Sequence, residues 1–432
     1  VAETERAFGK PIKRDLLLIC LAAVAIRLPW IFTVPMAEAP DEFAHYWVIK
    51  FLHDHLSLPS AGEVLAGGPS AVYGSLPQLG YLPHVLLTEA FPASELTLYA
   101  RFGSLLMGVV MICAAYYIGR ELFPRQRLLA LALPSLLVFH PQLVLLQSYA
   151  NNDSTTAAMA AWVLYLMIVN LKQGITIKRS AILGCLLSIM VLGKLSGYCL
   201  FPAVVLYMVA AALLNGTSVV FLFECCALIT AIVLSTTVWW FLRNADEFAG
   251  DFLGTKTMYH TWAVTFHKDL NYHLPVSHII KEKRWWRMTI FSYWGMYGYM
   301  TRYLWRPVYI AYLVFMASAF GGWVLGVKQV VATKLAGREE RVNFAIWSML
   351  TLVLVTNLAA MIWASTSNLG GPQGRYLFPS EIPIMALMVA GLSRFGKAGD
   401  AVVISFLLFN AIVCLGAWVW LAPLYGFHVR PF

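Results

Sequence analysis

The sequence predicts an all-α polytopic membrane protein of about eleven transmembrane helices, with two long external loops carrying interfacial helices. Three observations lead there. Of 432 residues, 60% are hydrophobic and 12% charged, for a mean hydropathy of +0.69, whereas a soluble domain carries about 25% charged residues. Apolar runs of about 20 residues recur, each long enough to cross a hydrocarbon core of about 30 Å. The basic residues gather in short connections between those runs.

Run length and flanking charge place the spans near residues 15–36, 97–118, 126–148, 154–171, 180–193, 197–214, 218–242, 307–328, 343–364, 379–394 and 400–422, the fifth and tenth being the shortest. The first follows Lys10, Lys13 and Arg14 and has no small-residue cleavage site after it, so it reads as an anchor. Arg120, Arg125 and Arg127 follow the second span, Lys172, Lys178 and Arg179 the fourth, Lys328, Lys334, Arg338 and Arg341 the eighth, and Arg394 and Lys397 the tenth. With these spans all of these bases fall on one side, the cytoplasmic one, which also holds the N-terminus. The other side receives loops 37–96 and 243–306 and the turns near Asn151 and between Asn368 and Arg375. No fixed-period repeat or separate soluble segment interrupts the chain, so residues 1–432 form a single membrane domain.

The net charge of +9 is spread over loops and forms no tract for a nucleic acid. Cys20, Cys113, Cys185, Cys225, Cys226 and Cys414 sit inside apolar runs without C-x-x-C spacing and read as core residues. The external loops have opposite character. Loop 37–96 carries Glu38, Asp41, Glu42, Asp54, Glu63, Glu89 and Glu95 against Lys50, while loop 243–306 is rich in Lys and Arg. An acidic wall facing a basic one at a bilayer surface suits an anionic lipid headgroup held beside a base.

Five short stretches carry candidate chemistry. In "PDEFAHYWVIKFLHDHL", Pro40 and Asp41 open a predicted helix running to about Leu56, with Phe43, Trp47 and Phe51 on one stripe. Asp41 and Glu42 either stabilise that helix start or supply a general base at a cavity mouth, with His45 one turn away to orient it and Tyr46 beside it. In "SNLGGPQGRYLFPSEIP", Gly and Pro imply irregular backbone, tolerated at membrane depth only where it is buried in protein or lines a cavity. Arg375 there is either an interfacial residue or a phosphate clamp, flanked by Gln373 and Tyr376. "VLGKLSGY" puts Lys194 between apolar runs, snorkelling or touching phosphate. "SYANNDSTT" offers Asn151, Asn152 and Asp153 as helix caps or as partners for sugar hydroxyls. "KEKRWWRMTIFSYWGMYGYMTRYLW" reads as an interfacial re-entry helix; Arg284, Arg287 and Arg302 there can serve an anionic head and Trp294 can stack on a sugar. Neither H-E-x-x-H nor G-x-S-x-G occurs. Asp41 with His45 supplies two metal ligands at most, so a divalent cation stays possible and no metal site is assigned.

Taken in order, "PDEFAHYW" after the first span, "NND" after the third, "GK" after the fifth, "FSYWGMYGYM", and "GGPQGRYLFP" late in the chain resemble the GT-C superfamily of integral-membrane glycosyltransferases. The likeness is to a poorly characterised bacterial branch and runs over most of the chain. It implies an inverting transfer from a polyprenyl-phosphate-linked sugar, with Asp41 as base and Glu42 as its partner or substitute. Lys194, Arg284, Arg287, Arg302 and Arg375 are then candidates for the leaving phosphate. It further implies a bacterial inner membrane, an active face turned outward, and an acceptor that is a glycan or lipid-linked, because no sizeable soluble C-terminal segment is present. Two rivals share these cations: a flippase or transporter of a lipid-linked sugar, and a polymerase or ligase of lipid-linked glycans. Against the transporter stand the missing repeat and the scarcity of ionisable residues inside the spans, where only Arg27 and Glu224 qualify.

Overall fold

The computed structural model describes residues 12–90, 95–332, 337–367 and 371–425. Lys10, Lys334 and the start of the Asn368 turn lie outside them. Helices form wherever the apolar runs stand: α1 (Ile12–Thr33), α2 (Glu42–His55), α3 (Ala61–Gly67), α4 (Leu82–Glu89), α5 (Leu96–Leu122), α6 (Arg127–Phe139), α7 (Pro141–Leu146), α8 (Asp153–Gln173), α9 (Ile177–Val191), α10 (Phe201–Asn215) and α11 (Val219–Glu247). The second loop holds α12 (Thr255–Thr265), α13 (Val276–Lys281), α14 (Lys283–Trp294) and a two-stranded hairpin, β1 (Met296–Tyr297) with β2 (Arg302–Tyr303). Then come α15 (Arg306–Ala332), α16 (Arg338–Ala364), α17 (Glu381–Leu392) and α18 (Gly399–Leu424).

Among the described residues, eight helical segments are long and apolar enough to cross a membrane. All eleven expected spans coincide with helix, but three differ from a simple crossing. The third breaks at His140–Pro141; the fifth and tenth are 15 and 12 residues long. Pro141 explains the break, because it cannot donate to the carbonyl of Leu137. Arg27 supplies the missing donor: Nη2 gives to the Leu137 carbonyl at 3.1 Å, Nη1 to Val138 at 3.3 Å, and Nε to Gln147 Oε1 at 2.8 Å. This buried arginine, singled out in the sequence as intramembrane, therefore splints a broken helix. His140, at the break, donates Nε2–H to the Tyr293 carbonyl at 2.8 Å and meets Glu381 Oε1 through Nδ1 at 2.8 Å, while Tyr293 donates its hydroxyl to Glu381 Oε2 at 2.7 Å. That knot ties α14 and α17 to the break.

Helix α8 packs against α5, α9 and α10 and is almost wholly buried, whereas α11 turns Val219, Val220, Phe223, Trp239 and Leu242 outward. The bundle is all interior at α8 and one-sided at α11, as a membrane protein should be. One end is tied by polar contacts among connections: Arg127 to Asp15, Lys172 to Glu121, Arg338 to the Lys172 carbonyl and Asn215. The opposite end gathers both long loops. Glu247 accepts from the Ala61 amide at 2.7 Å, Ser75 donates to the Gly254 carbonyl at 2.8 Å, and the Tyr299 amide donates to the Glu38 carbonyl at 2.9 Å. The expected re-entry helix over 281–305 is in fact α14 followed by the hairpin: the helical path ends at Trp294, where Gly295 is extended at φ 166°, and Gly298, Tyr299 and Met300 take positive φ in the turn between the strands.

Candidate active site

Asp41 sits at the N-cap of α2 with φ 61° and ψ 11°, a left-handed conformation that a short polar side chain tolerates better than most. It caps no helix amide. Its carboxylate turns the other way, into an ion pair with the Arg375 guanidinium. Oδ2 also accepts the Tyr73 hydroxyl at 3.1 Å, and Oδ1 accepts the Tyr299 hydroxyl at 3.2 Å. Burial alone would raise this carboxyl, but the Arg375 charge, helped by its hydrogen bond and by Tyr73, holds it well below the usual carboxylate range. Burial pushes the Tyr73 hydroxyl up and the Tyr299 hydroxyl to about 12, the Asp41 charge adding in both, so both remain donors.

Arg375 is brought there by the turn Gly374–Ser380, which leads into α17. Gly374 is required for the approach: a Cβ would stand 2.2 Å from the Tyr293 backbone nitrogen. The guanidinium is 4% exposed. Its Nη1 reaches the Pro40 carbonyl at 3.3 Å and the Tyr149 hydroxyl at 3.4 Å, and its Nε has no partner. Beside it lies a second ion pair, Lys194 to Asp153 at 2.7 Å. Lys194 and Arg375 stand over the same Tyr376 ring, 5.9 and 5.4 Å from its centroid. Burial lowers the Lys194 ammonium, opposed by Asp153 and reinforced by Arg375. The close packing of Gly80 on the Gly193 carbonyl sets Lys194 in place.

The other expected residues divide into neighbours and outsiders. Asn152 donates to the Gly193 carbonyl at 3.0 Å and leaves Oδ1 without a partner. Asn151 is a structural cap: its Oδ1 accepts the Ser154 amide at 2.9 Å and its amide serves the Leu146 and Tyr149 carbonyls. Gln373 and Tyr376 are half-buried next to Arg375. Tyr46 packs in a small apolar cluster with Val48, Tyr81 and Val85. The His45 backbone amide donates to the Asp41 carbonyl at 3.1 Å, but its ring makes no hydrogen bond to the Asp41 carboxylate. Its Nδ1 pairs with the Tyr81 hydroxyl at 2.6 Å, its Nε2 is buried without a partner, and burial with the nearby Lys194 keeps the ring neutral.

Glu42 is not a substitute for Asp41. It is fully buried and gripped bidentately by Arg101, at 2.7 and 2.6 Å, and Oε1 also accepts the Ala150 amide at 3.0 Å. Trp294 is no sugar platform: it is fully buried, stacked on Tyr312 with centroids 4.0 Å apart. Arg284 and Arg287 are exposed on α14 and take no part in the Asp41 cluster, since the helix turns its Trp285 and Thr289 face inward. Arg302 lies 3.8 Å from Glu38 and over Tyr425 instead, at the rim. Among the described residues no three of His, Cys, Asp or Glu converge as a metal would need. A cavity of about 820 Å³, lined by Phe123, Trp323, Asn343, Trp347, Thr351 and Arg394, opens at the far end of the bundle, away from Asp41.

Sequence reasoning missed Tyr73, Tyr149, Tyr299 and Arg101. Arg101 had a usable signal, a charge at the start of an apolar run that demands a buried acid. Tyr149 and Tyr299 stood inside stretches already singled out.

The architecture has known counterparts. ArnT from Cupriavidus metallidurans, solved bound to undecaprenyl phosphate, superposes with a TM-score of 0.59 at 15% identity, over 94% of this chain and 64% of that one. The apo oligosaccharyltransferase of Archaeoglobus fulgidus superposes with a TM-score of 0.54 at 13% identity, over 97% and 56%. The chain thus spans less than two thirds of the length of either. A profile of dolichyl-phosphate-mannose-protein mannosyltransferases matches residues 87–240. No curated protein matches by sequence.

Proposed function

We propose that this integral membrane protein, which carries the fold of GT-C membrane glycosyltransferases, transfers a sugar from a polyprenyl-phosphate donor to a hydroxyl at the loop-bearing face of the membrane. The observation that supports this most is the meeting of Asp41 with two cations, Arg375 and Lys194, at the end where both long loops close. A transfer of this kind needs a base for the acceptor hydroxyl and positive charge for the departing phosphate. The acceptor oxygen attacks the anomeric carbon from the face opposite the phosphate, which inverts the centre. Asp41 takes the acceptor proton, and the C–O bond to phosphate breaks with its electron pair on the phosphate. Arg375 and Lys194 neutralise the charge that develops there, while beside the Tyr376 ring the unpartnered amide oxygens of Gln373 and Asn152 are placed to accept from sugar hydroxyls.

The distribution of bases supports an N-terminus in the cytoplasm and this face outside, and a bacterial inner membrane suits the resemblance. The acceptor in this reading is a glycan or a second lipid-linked saccharide.

The test is made on purified protein in lipid nanodiscs with a panel of polyprenyl-phosphate sugars and a crude glycan extract, following polyprenyl phosphate release by mass spectrometry. Release by wild type and not by Asp41→Asn, with a new glycosylated product, supports the assignment; loss of a general base costs about 10²–10⁴-fold. No release from any donor, with the donor changing leaflet, replaces the transferase by a flippase.

A further inference from the structure

The same centre carries an inference about order, which rests on the transferase reading. With no substrate bound, Asp41 is held in an ion pair: Arg375 and Tyr73 take Oδ2, and Tyr299 takes one position on Oδ1. A carboxylate paired with a buried guanidinium is a weak base toward an acceptor hydroxyl. Arg375 is the reverse case. A guanidinium has five N–H donors, yet here Nε has no partner and Nη1 holds only the two long bonds to Pro40 and Tyr149. The carboxylate has its stronger contacts on Oδ2, while its guanidinium partner has donors to spare.

We infer that Arg375 locks Asp41 until the phosphate of the donor arrives and then passes from carboxylate to phosphate, so that the donor must bind before the acceptor. The charges balance along this path. As the sugar is transferred, the anomeric C–O(phosphate) bond breaks and the anomeric C–O(acceptor) bond forms. The phosphodiester becomes a monoester with up to one more negative charge, and Asp41 loses its own by taking the acceptor proton. Negative charge therefore travels from Asp41 to the phosphate, and the guanidinium follows it. Lys194 is suited to remain behind as the fixed cation, since its shorter side chain is already held by Asp153 beside the Tyr376 ring.

The groups facing Asp41 are His45 from α2, Tyr73 and Tyr81 from the first loop, Tyr149, Asp153, Lys194, Tyr299, Arg375 and Tyr376. His45 is held neutral and Lys194 is balanced by Asp153. The titration of Asp41 therefore reports chiefly on where Arg375 is.

The experiment uses the full chain in nanodiscs and undecaprenyl phosphate alone, without sugar or acceptor. Carbodiimide coupling of a small amine to Asp41 is quantified by peptide mass spectrometry across about pH 4–8, the range above ordinary carboxylate titration. Binding of the lipid is followed in parallel by native mass spectrometry. Slow coupling in the free protein, accelerated about tenfold or more by the lipid as the carboxyl titrates about a unit or more higher, is the expected result. Arg375→Gln should couple fast without lipid. If the lipid binds and coupling is unchanged or slowed, the lock is overturned and the transferase reading stands. If the lipid does not bind, both fall.

Discussion

Replacing Glu42 by alanine tests the division of labour between the adjacent acids. The Glu42 carboxylate is fully buried and holds three donors, two from Arg101 and one from the Ala150 amide. Without it, Arg101 keeps only the Ile31 and Val34 carbonyls, at 2.8 and 2.7 Å, and its charge is left buried without a counter-ion. Removing one partner of a buried pair costs about 3–5 kcal/mol. Each kcal/mol shifts the midpoint by about 2–4 °C in domains of 150–250 residues, so the drop should be about 6–20 °C, toward the lower end in this longer chain. Thermal denaturation followed by fluorescence-detected size exclusion in detergent measures it. Glu42→Leu combined with Arg101→Met should recover most of the loss, because no charge is then stranded. A Glu42→Gln protein that melts with wild type but transfers no sugar would refute the argument and return Glu42 to the chemistry.

Four further outcomes are expected. Tyr73→Phe and Tyr299→Phe each remove a donor from Asp41, so the acid limb of the pH–rate profile should move upward, furthest in the double variant. Because the folded-state carboxyl of Asp41 is depressed, its contribution to stability is present above about pH 4 and is lost as pH falls through the lower folded value. Arg375→Gln should therefore lower the melting temperature at pH 7 and narrow its difference from wild type in strong acid. Lys194→Met with Asp153→Asn keeps the site neutral; the pair should fold, while donor KM rises about tenfold or more, consistent with a lost charge-assisted contact of about 1.5–3 kcal/mol. Arg27→Met strands the Leu137 carbonyl opposite Pro141 and should destabilise the protein by about 1–3 kcal/mol, seen as a lower midpoint in the same thermal assay without a change in the pH–rate profile.

The fold was legible because hydropathy registers helices directly: each expected span falls on one. Hydropathy does not register how far a helix continues. Pro141 reads as an ordinary residue in an apolar run until the donor it lacks is traced to Arg27. In the centre, Asp41, Arg375, Lys194 and Asp153 were each visible as charges in irregular or glycine-bearing stretches. Their pairing was not, since it depends on chain segments far apart, and so Asp41 and Arg375 were expected to hold different parts of the substrate when they hold each other. Glu42 was misjudged because adjacent acids on a helix start point in different directions, one into the loops and one into the bundle. Trp294 was misjudged because an aromatic beside bases looks the same in sequence whether it faces solvent or Tyr312.

The ion pair between Asp41 and Arg375 spans 334 positions. The first partner leaves the translocation machinery early and the second only after most of the helices have been made. During synthesis the acidic residue waits without its guanidinium, exposed to water or to lipid headgroups, and the centre closes as a late event of biogenesis. A chain stopped before Arg375 can insert most of its helices and yet lack the Asp41–Arg375 pair.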